Sequence, residues 1–378
     1  MRVIIAAGGT GGHLYPGVAL AREFERQMPG SESIFVGTTR GLETNVVPRE
    51  GFELITVAAR GVMGKGVGGA LQGLAVVPLG VAQCLAVCRK RRPDLAIGVG
   101  GYTSPPLILA AFFLGIKRVI VEPNVYPGVA NRALSPIANR VFVSFADAAS
   151  YFGSAHIVVA GTPIRREFLE AGTETRQAGL TVLVLGGSQG ARSINRAMVS
   201  ALPALVAALP GLRVIHQTGA RDYDEVAAAY RNIQSGGHVG AGGMEVTPFL
   251  YDMPRAFRQA DLIVSRSGAT TVAEITACGK PAVLIPFPHA IHGHQERNAR
   301  VLERAGAAQI IVDGRLSGDM LAGAISALLA RPDRLREMEL CSKSLGQADA
   351  AERIVSECRA LVGAGGAPAG GAPSRGMG

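Results

Sequence analysis

One local plan occurs twice in this sequence, at the start and again near the middle. "RVIIAAGGTGGHLYPGVALAREF" (2–24) and "TVLVLGGSQGARSINRAMVSAL" (181–202) each pass from a short apolar run through a GGxxG loop into an amphipathic segment. Glycine costs about 0.5–1 kcal/mol relative to alanine inside regular structure, so such a cluster at a strand-to-helix junction needs a reason. Backbone chemistry offers one. A helix N-terminus carries unpaired N–H groups, and glycines let an anion come close to them.

The rest of the chain fits two such units. "SIFVG", "LAIGVGG", "KRVIVEP" and "RVFVSF" read as further strands of the first half; "RVIHQT", "DLIVSRSG", "PAVLIPF" and "AAQIIV" read as strands of the second. Strands alternating with helix-length segments predict α/β architecture: two Rossmann-like domains with parallel sheets facing across a cleft. Ligands then sit at the carboxyl ends of the strands. The boundary is placed in "VVAGTPIRREF", giving domains at 1–160 and 161–344. The tail 363–378, "GAGGAPAGGAPSRGMG", has nothing to bury and is expected to be disordered.

The glycine loops do not carry a dinucleotide fingerprint. "GTGGHL" lacks its third glycine, the second strand "SIFVGTTR" ends without an acidic residue, and no Walker lysine follows either loop. A third loop, "GVGGYTSPP" (98–106), also follows a strand, so three glycine loops would line one cleft. His13 closes the first. It is either a solvated loop residue or an acid/base group near neutral pH.

In the second half, "VSRSGATTVAEITACGKPAVLIPFP" (264–288) predicts a strand, the small residues Ser267, Gly268 and Ala269, and a short helix stopped by Gly279. That helix N-terminus would hold a diphosphate without a metal. Glu274, one turn in, either accepts both ribose hydroxyls or complements the helix dipole. His289, His292 and His294 have loop spacing and no accompanying carboxylate or cysteine, which argues against a metal site. Asp222-Tyr223-Asp224 formally matches a metal-chelating DxD, but reads more simply as a helix start with first-turn acids.

Composition narrows the function classes. The net charge of +9 favours anionic partners, yet the chain has no tryptophan and no basic stripe with interleaved aromatics, so nucleic acid is not expected. Five cysteines without zinc-type spacing fit a reduced, cytosolic setting, and "MRVIIAAGG" does not resemble a signal peptide. Residues 66–88 carry no charge, but Gln72, Pro78 and Gln83 dilute the run; a membrane-dipping surface helix is expected, not a span. Lys65 and the cluster Arg89, Lys90, Arg91 and Arg92 flank it, a pattern that predicts docking on an anionic membrane surface. The alternative is a buried helix with a dipole-complementing end.

Together "GGTGGHLYPGVALA", "GVGGYTSPP", "VVAGTPIR", "LGGSQGARSIN", "VTPFLYDM", "RSGATTVAE" and "HQERNA" resemble the MurG family of peptidoglycan N-acetylglucosaminyltransferases, a GT-B group in glycosyltransferase family 28, over about residues 1–360. The resemblance implies inverting transfer of N-acetylglucosamine from UDP-N-acetylglucosamine to lipid I, forming lipid II at the cytoplasmic membrane face. It implies no required cofactor, and as partners an anionic membrane and other cell-wall synthesis and division proteins. It assigns donor contacts to Thr10, Gly11, Gly12, Asn124, Arg165, Ser188, Leu250, Ala269, Thr270, Thr271, Val272, Ala273, Glu274 and Gln295. By analogy Glu274 holds the ribose, Ser188 and the helix start hold the diphosphate, Leu250 lies beside uracil and Gln295 reads sugar hydroxyls. Gly101, Tyr102, Thr103 and Ser104 would face the acceptor, with His13 as base. A helix near 345–361 is expected to complete the first domain. Two departures stand out: Val121 and Pro123 replace the family's common "HEQN" residues, and the apolar segment near 71–88 is about a turn shorter. Other UDP-sugar GT-B enzymes, nucleotide-sugar epimerases and dinucleotide-dependent oxidoreductases are the alternative functions; a non-enzymatic membrane module would not need three glycine loops.

Overall fold

The computed structural model describes residues 1–9, 11–60, 66–153, 156–170, 179–187, 190–235 and 243–363, with the side chains of 66–74 and 291 outside the description. In chain order the first unit runs β1 (Arg2–Ala6), α1 (Gly11–Gln27), β2 (Glu32–Gly37), α2 (Glu43–Arg49), β3 (Glu53–Thr56), α3 (Gly66–Arg91), β4 (Leu95–Gly98), α4 (Ser104–Phe113), β5 (Lys117–Glu122), α5 (Val129–Leu134), β6 (Arg140–Val143) and β7 (Ile157–Val159). The second runs β8 (Thr181–Leu185), α6 (Arg192–Ala208), β9 (Arg213–Gln217), α7 (Tyr223–Ser235), β10 (Met244–Thr247), α8 (Met253–Gln259), β11 (Leu262–Ser265), α9 (Ala269–Ala277), β12 (Ala282–Leu284), α10 (His294–Arg304) and β13 (Ala308–Ile310). Helices α11 (Gly318–Leu329), α12 (Pro332–Leu345) and α13 (Ala350–Gly363) follow.

The strands form two parallel sheets, ordered β3-β2-β1-β4-β5-β6-β7 and β10-β9-β8-β11-β12-β13. Each order reverses once, between β1 and β4 and between β8 and β11. The crevice outside the carboxyl ends of those two strand pairs is where an open α/β sheet binds ligands. Because crossover helices cover both faces, the central strands are apolar throughout: every residue of β4, β8, β11 and β12 is buried.

The chain crosses back after the second sheet. Ile354, Val355 and Cys358 of α13 share a core with Val3, Ile5, Val18 and Phe24 of the first unit. Ile164 and Phe168 pack with Leu183, Phe257 and Ile275 of the second. Val121 is fully buried in the first core, so this departure from the family pattern is a packing position rather than a lost cleft contact.

Helix α3 contains the uncharged run, and no described helix is long and apolar enough to cross a membrane. Cys84 and Cys88 face the core. At 1.5 Å per residue the helix is about 39 Å long. It starts on the cleft side of the sheet and ends just before β4, on the opposite edge. Arg89 and Lys90 in its last turn and the following Arg92 are therefore exposed far from the cleft mouth, while Arg91 pairs with Glu53. Lys65 lies outside the described residues.

Candidate active site

Four helices begin at the two switch points: α1 after β1, α4 after β4, α6 after β8 and α9 after β11. Their N-terminal N–H groups face the crevice, which makes it a place for anions. The two units meet there. Thr270 Oγ1, second residue of α9, donates to Gly12 O at the start of α1, 3.2 Å away.

The first glycine loop is held from within the first domain. Gly8 N–H donates to Thr103 Oγ1 at 3.0 Å and Gly9 N–H to Glu43 Oε2 at 3.2 Å. The other oxygen of Glu43 accepts from Thr38 N–H and its hydroxyl. The third loop leans on the first. Gly101 has φ +72°, and a Cβ there would collide with the Gly8 carbonyl oxygen. Thr103 and Ser104, expected on the acceptor side, are fully buried. Their hydroxyls serve loop backbone: Ser104 Oγ accepts from Gly100 N–H at 2.9 Å and donates to Gly100 O at 2.8 Å. They shape the loop and do not face the cleft. Tyr102, half-buried, lies against Gly9.

His13 is wedged beside Gly100, where a Cβ would approach its ring to 2.8 Å. Desolvation by burial, followed by the nearby His294, pulls its pKa down to about 4. The imidazole is thus neutral at pH 7.

Glu122 organises the loop that carries Asn124. It is buried and accepts from Asn124 N–H and Nδ2, Gly128 N–H and Asn131 Nδ2 at 2.9–3.1 Å. Burial pushes its pKa up, and these hydrogen bonds oppose the shift. Asn124 Oδ1 in turn accepts from Asn298 Nδ2 across the cleft at 3.3 Å. Asn298 is fully buried; it also accepts from Val125 N–H, so two hydrogen bonds join it to the first domain, and it donates to Ser267 O within its own.

In the second domain α9 starts after Gly268, which has extended backbone at φ −62°, ψ 147°. Glu274 is 8% exposed one turn in. Burial raises its pKa to about 7 against the opposing charge of Arg165. The Arg165 guanidinium rests over Tyr15 at 4.9 Å and Phe168 at 5.2 Å, bridging the domains beside the carboxyl group. Thr271 and Ala273 are half-buried, whereas Ala269 and Val272 are buried, Val272 within the core; a ligand would meet Val272 only through its backbone. Leu250 follows β10 and is half-buried against the same core. Gln295 Oε1 accepts from Phe287 N–H at 2.9 Å, so part of this amide is committed to the neighbouring loop. Thr10 and Ser188 lie outside the described residues.

The suspected metal ligands are dispersed. His289 packs on Phe287, His292 on Tyr126, and Asp222 accepts from Asn195 Nδ2 at 2.9 Å, while Asp224 is exposed. Among the described residues no three His, Cys, Asp or Glu side chains are grouped to hold a metal ion.

Four organising residues carried no signal in the sequence. Glu43, Gln217 and Asn298 bind distant backbone. Arg266 joins Asp313 Oδ1 at 2.6 Å and Ser193 Oγ at 2.9 Å, tying the loop after β11 to the start of α6.

Comparisons with known proteins agree with this geometry. The profile of the Glycosyltransferase family 28 N-terminal domain matches residues 3–143, and that of the family 28 C-terminal domain matches residues 181–354. The chain is similar to the UDP-N-acetylglucosamine--N-acetylmuramyl-(pentapeptide) pyrophosphoryl-undecaprenol N-acetylglucosamine transferases of Thermodesulfovibrio yellowstonii and Geobacter sulfurreducens. Identity to the first is 41% over 96% of this chain and 99% of the relative; identity to the second is 44% over 94% and 98%. Its fold superposes on the crystal structure of Acinetobacter baumannii MurG with a TM-score of 0.73 and 28% identity, covering 95% of this chain and 99% of that one. The Staphylococcus aureus MnaA–UDP co-structure shares the fold at a TM-score of 0.69 and 16% identity, covering 96% and 97%.

Proposed function

The chain belongs to glycosyltransferase family 28, and we infer that it transfers N-acetylglucosamine from UDP-N-acetylglucosamine to the N-acetylmuramyl sugar of pyrophosphoryl-undecaprenol-linked lipid I, forming lipid II. It is a UDP-N-acetylglucosamine-dependent glycosyltransferase of peptidoglycan synthesis. The observation that carries the site reading is the meeting of α1 and α9 at the Thr270–Gly12 hydrogen bond, with Glu274 buried one turn behind.

The chemistry follows from that arrangement. A single in-line attack by the acceptor hydroxyl inverts the anomeric carbon and expels UDP. The N-termini of α9 and α6 offer N–H donors where charge develops on the departing diphosphate, a role for which no metal is required. Glu274, once ionised, accepts the ribose hydroxyls. His13 is the base we favour. Its neutral imidazole carries a basic lone pair at pH 7, and the negative charge of a diphosphate beside it would raise its basicity toward the useful range.

For the acceptor's lipid we propose peripheral attachment at the cytoplasmic membrane face. Since the basic cluster lies at the far end of α3, the helix would lie along the bilayer with the flank of the first domain against it. Arg89, Lys90 and Arg92 are the exposed cations of that end, each contributing about 1 kcal/mol near an anionic leaflet. Sedimentation with anionic vesicles should weaken in salt and on changing these three to glutamine; binding indifferent to both would remove the patch from consideration.

The deciding experiment uses labelled UDP-N-acetylglucosamine and a short-chain lipid I analogue. Label should move to the analogue with release of UDP. Conversion of the sugar nucleotide without acceptor would point to an epimerase.

A further inference from the structure

Gln217, the last residue of β9, is 2% exposed and lies behind the cleft. Its Nε2 donates to Gly187 O at 3.0 Å and to Pro248 O at 3.4 Å. Both neighbours are carbonyl oxygens, so the amide orientation follows from the partners: only an NH2 group satisfies them. Gly187 belongs to the glycine loop between β8 and α6, and its oxygen also accepts from Gly190 N–H at 2.9 Å. Pro248 starts the loop after β10 that carries Leu250. One buried amide therefore links two loops that approach a ligand from different strands.

The strand end around Gln217 is rigidly backed. Thr218 N–H donates to Thr247 O at 3.0 Å, and Gly190, at φ +76°, lies so close to Thr218 O that a Cβ would collide with it. Behind these, His216, Asn195 and Tyr230 form a buried chain whose donor pattern is fully determined. Asn195 Nδ2 gives its hydrogens to Thr218 O and Asp222 Oδ2, leaving Oδ1 to accept from His216 Nε2–H. His216 Nδ1 then accepts from the Tyr230 hydroxyl at 2.9 Å. Such a satisfied network has one arrangement, and it fixes the strand end from which Gln217 projects.

We propose that Gln217 is a positioning residue for the donor: by tying Gly187 to Pro248 it sets the spacing between the subsite for the diphosphate and the subsite for the uracil base. The proposal rests on the donor reading above, in which those two loops hold the two ends of UDP. Gln217 touches neither end itself. Its contribution is preorganisation, so its loss is felt as weaker binding of a ligand that spans both loops.

The test compares wild type with Gln217→Leu and Gln217→Glu, measuring UDP affinity by calorimetry, both KM values and the thermal midpoint. Gln217→Leu should weaken UDP about tenfold and raise the donor KM in step, with the acceptor KM unchanged within twofold. Gln217→Glu can donate only when protonated. Measured with UDP-N-acetylglucosamine, whose diphosphate does not titrate in this range, the affinity of this variant relative to wild type at the same pH should therefore recover as pH falls from 8 to 6; this arm carries the test alone if the leucine variant does not fold. Folded variants that bind UDP like wild type, or lose donor and acceptor affinity equally, would overturn the proposal. Wild type that binds no UDP would instead overturn the donor reading beneath it.

Discussion

The two GGxxG loops begin alike and are held by groups of opposite character. In the first, Gly9 N–H is satisfied by the buried carboxyl group of Glu43 and Gly8 N–H by Thr103. In the second, it is a carbonyl, Gly187 O, that is satisfied, by the amide hydrogens of Gln217. A loop whose amides already face an acid has used part of its capacity for an external anion. The second loop also commits amides, Gly186 N–H to Gln217 O and Gly190 N–H to Gly187 O, but to neutral carbonyls, so among the described contacts no carboxylate holds it. The same five-residue pattern therefore has different surroundings in the two halves: a carboxylate beside the first loop disfavours a second anion there, and a neutral amide beside the second is compatible with the diphosphate subsite proposed for it, while the first presents mainly Gly11, Gly12 and His13 at the start of α1.

Removing Glu274 gives the largest expected effect and tests that division directly. Two hydrogen bonds from ribose to a charged carboxylate contribute about 1.5–3 kcal/mol each, and the lower end of their sum, about 3 kcal/mol, corresponds to roughly 100-fold. Glu274→Ala should accordingly raise the donor KM about 100-fold, with the acceptor KM within twofold, and 2′-deoxyribose donors should no longer be discriminated against. Equal rises in both KM values would show that the halves do not divide the substrates.

The same carboxyl group predicts a pH dependence. Its folded pKa, about 7, lies above the ordinary carboxylate value. For the ligand-free protein this contributes stability that is fully present below the unfolded pKa and is lost as pH rises through 7. Donor binding runs the other way, because the hydroxyls need an ionised acceptor. From pH 6 to pH 8 the ionised fraction rises from about a tenth to about nine tenths, so affinity for UDP-N-acetylglucosamine should tighten about tenfold. The diphosphate of this donor is diesterified and loses no proton in that window. Titration calorimetry of Glu274→Gln should give a flat profile; a wild-type slope persisting in it would place the titrating group elsewhere.

The parts of these halves that the sequence disclosed share a physical character. The central strands were legible because burial on both faces makes them continuous apolar runs. Strands β3, "ELIT", and β10, "MEVT", were not picked out; both are sheet edges with mixed, half-exposed side chains. The start of α9 and Glu274 were visible because small residues before a helix followed by an acid make a local pattern. Glu43, Gln217 and Asn298 were not, since their partners are backbone groups 34, 30 and 173 positions away and leave no mark in the sequence. Thr103 and Ser104 show the converse error. Their residue types suited a ligand, but their hydroxyls were already used within the loop.

A smaller effect is expected from the acid that fills the first loop. Glu43→Gln preserves volume but places an NH2 group among the N–H and O–H donors of Gly9 and Thr38. A buried unsatisfied donor costs about 1–3 kcal/mol, which outweighs any gain from removing a negative charge near an anionic acceptor. The variant should melt at lower temperature and show an acceptor KM raised about fivefold, while UDP affinity stays within twofold. Loss of UDP affinity on the same scale would mean that the two loops act as one unit.

The smallest expected effect is none. If the second loop and the N-terminus of α9 stabilise the leaving diphosphate, catalysis should proceed unchanged in excess EDTA. The geometry supports this. Asp222 is held by Asn195 and Asp224 projects to solvent, so the DxD sequence does not present two carboxylates to one point. His289 and His292 are each packed against a different ring, and His294 lies near His13. Activity in EDTA within twofold of the untreated enzyme is the expected outcome, measured at saturating and at subsaturating donor. A loss restored by magnesium or manganese would show that the helix ends do not suffice. It would also erase the contrast between the loops, because a bound cation could neutralise a diphosphate beside either of them.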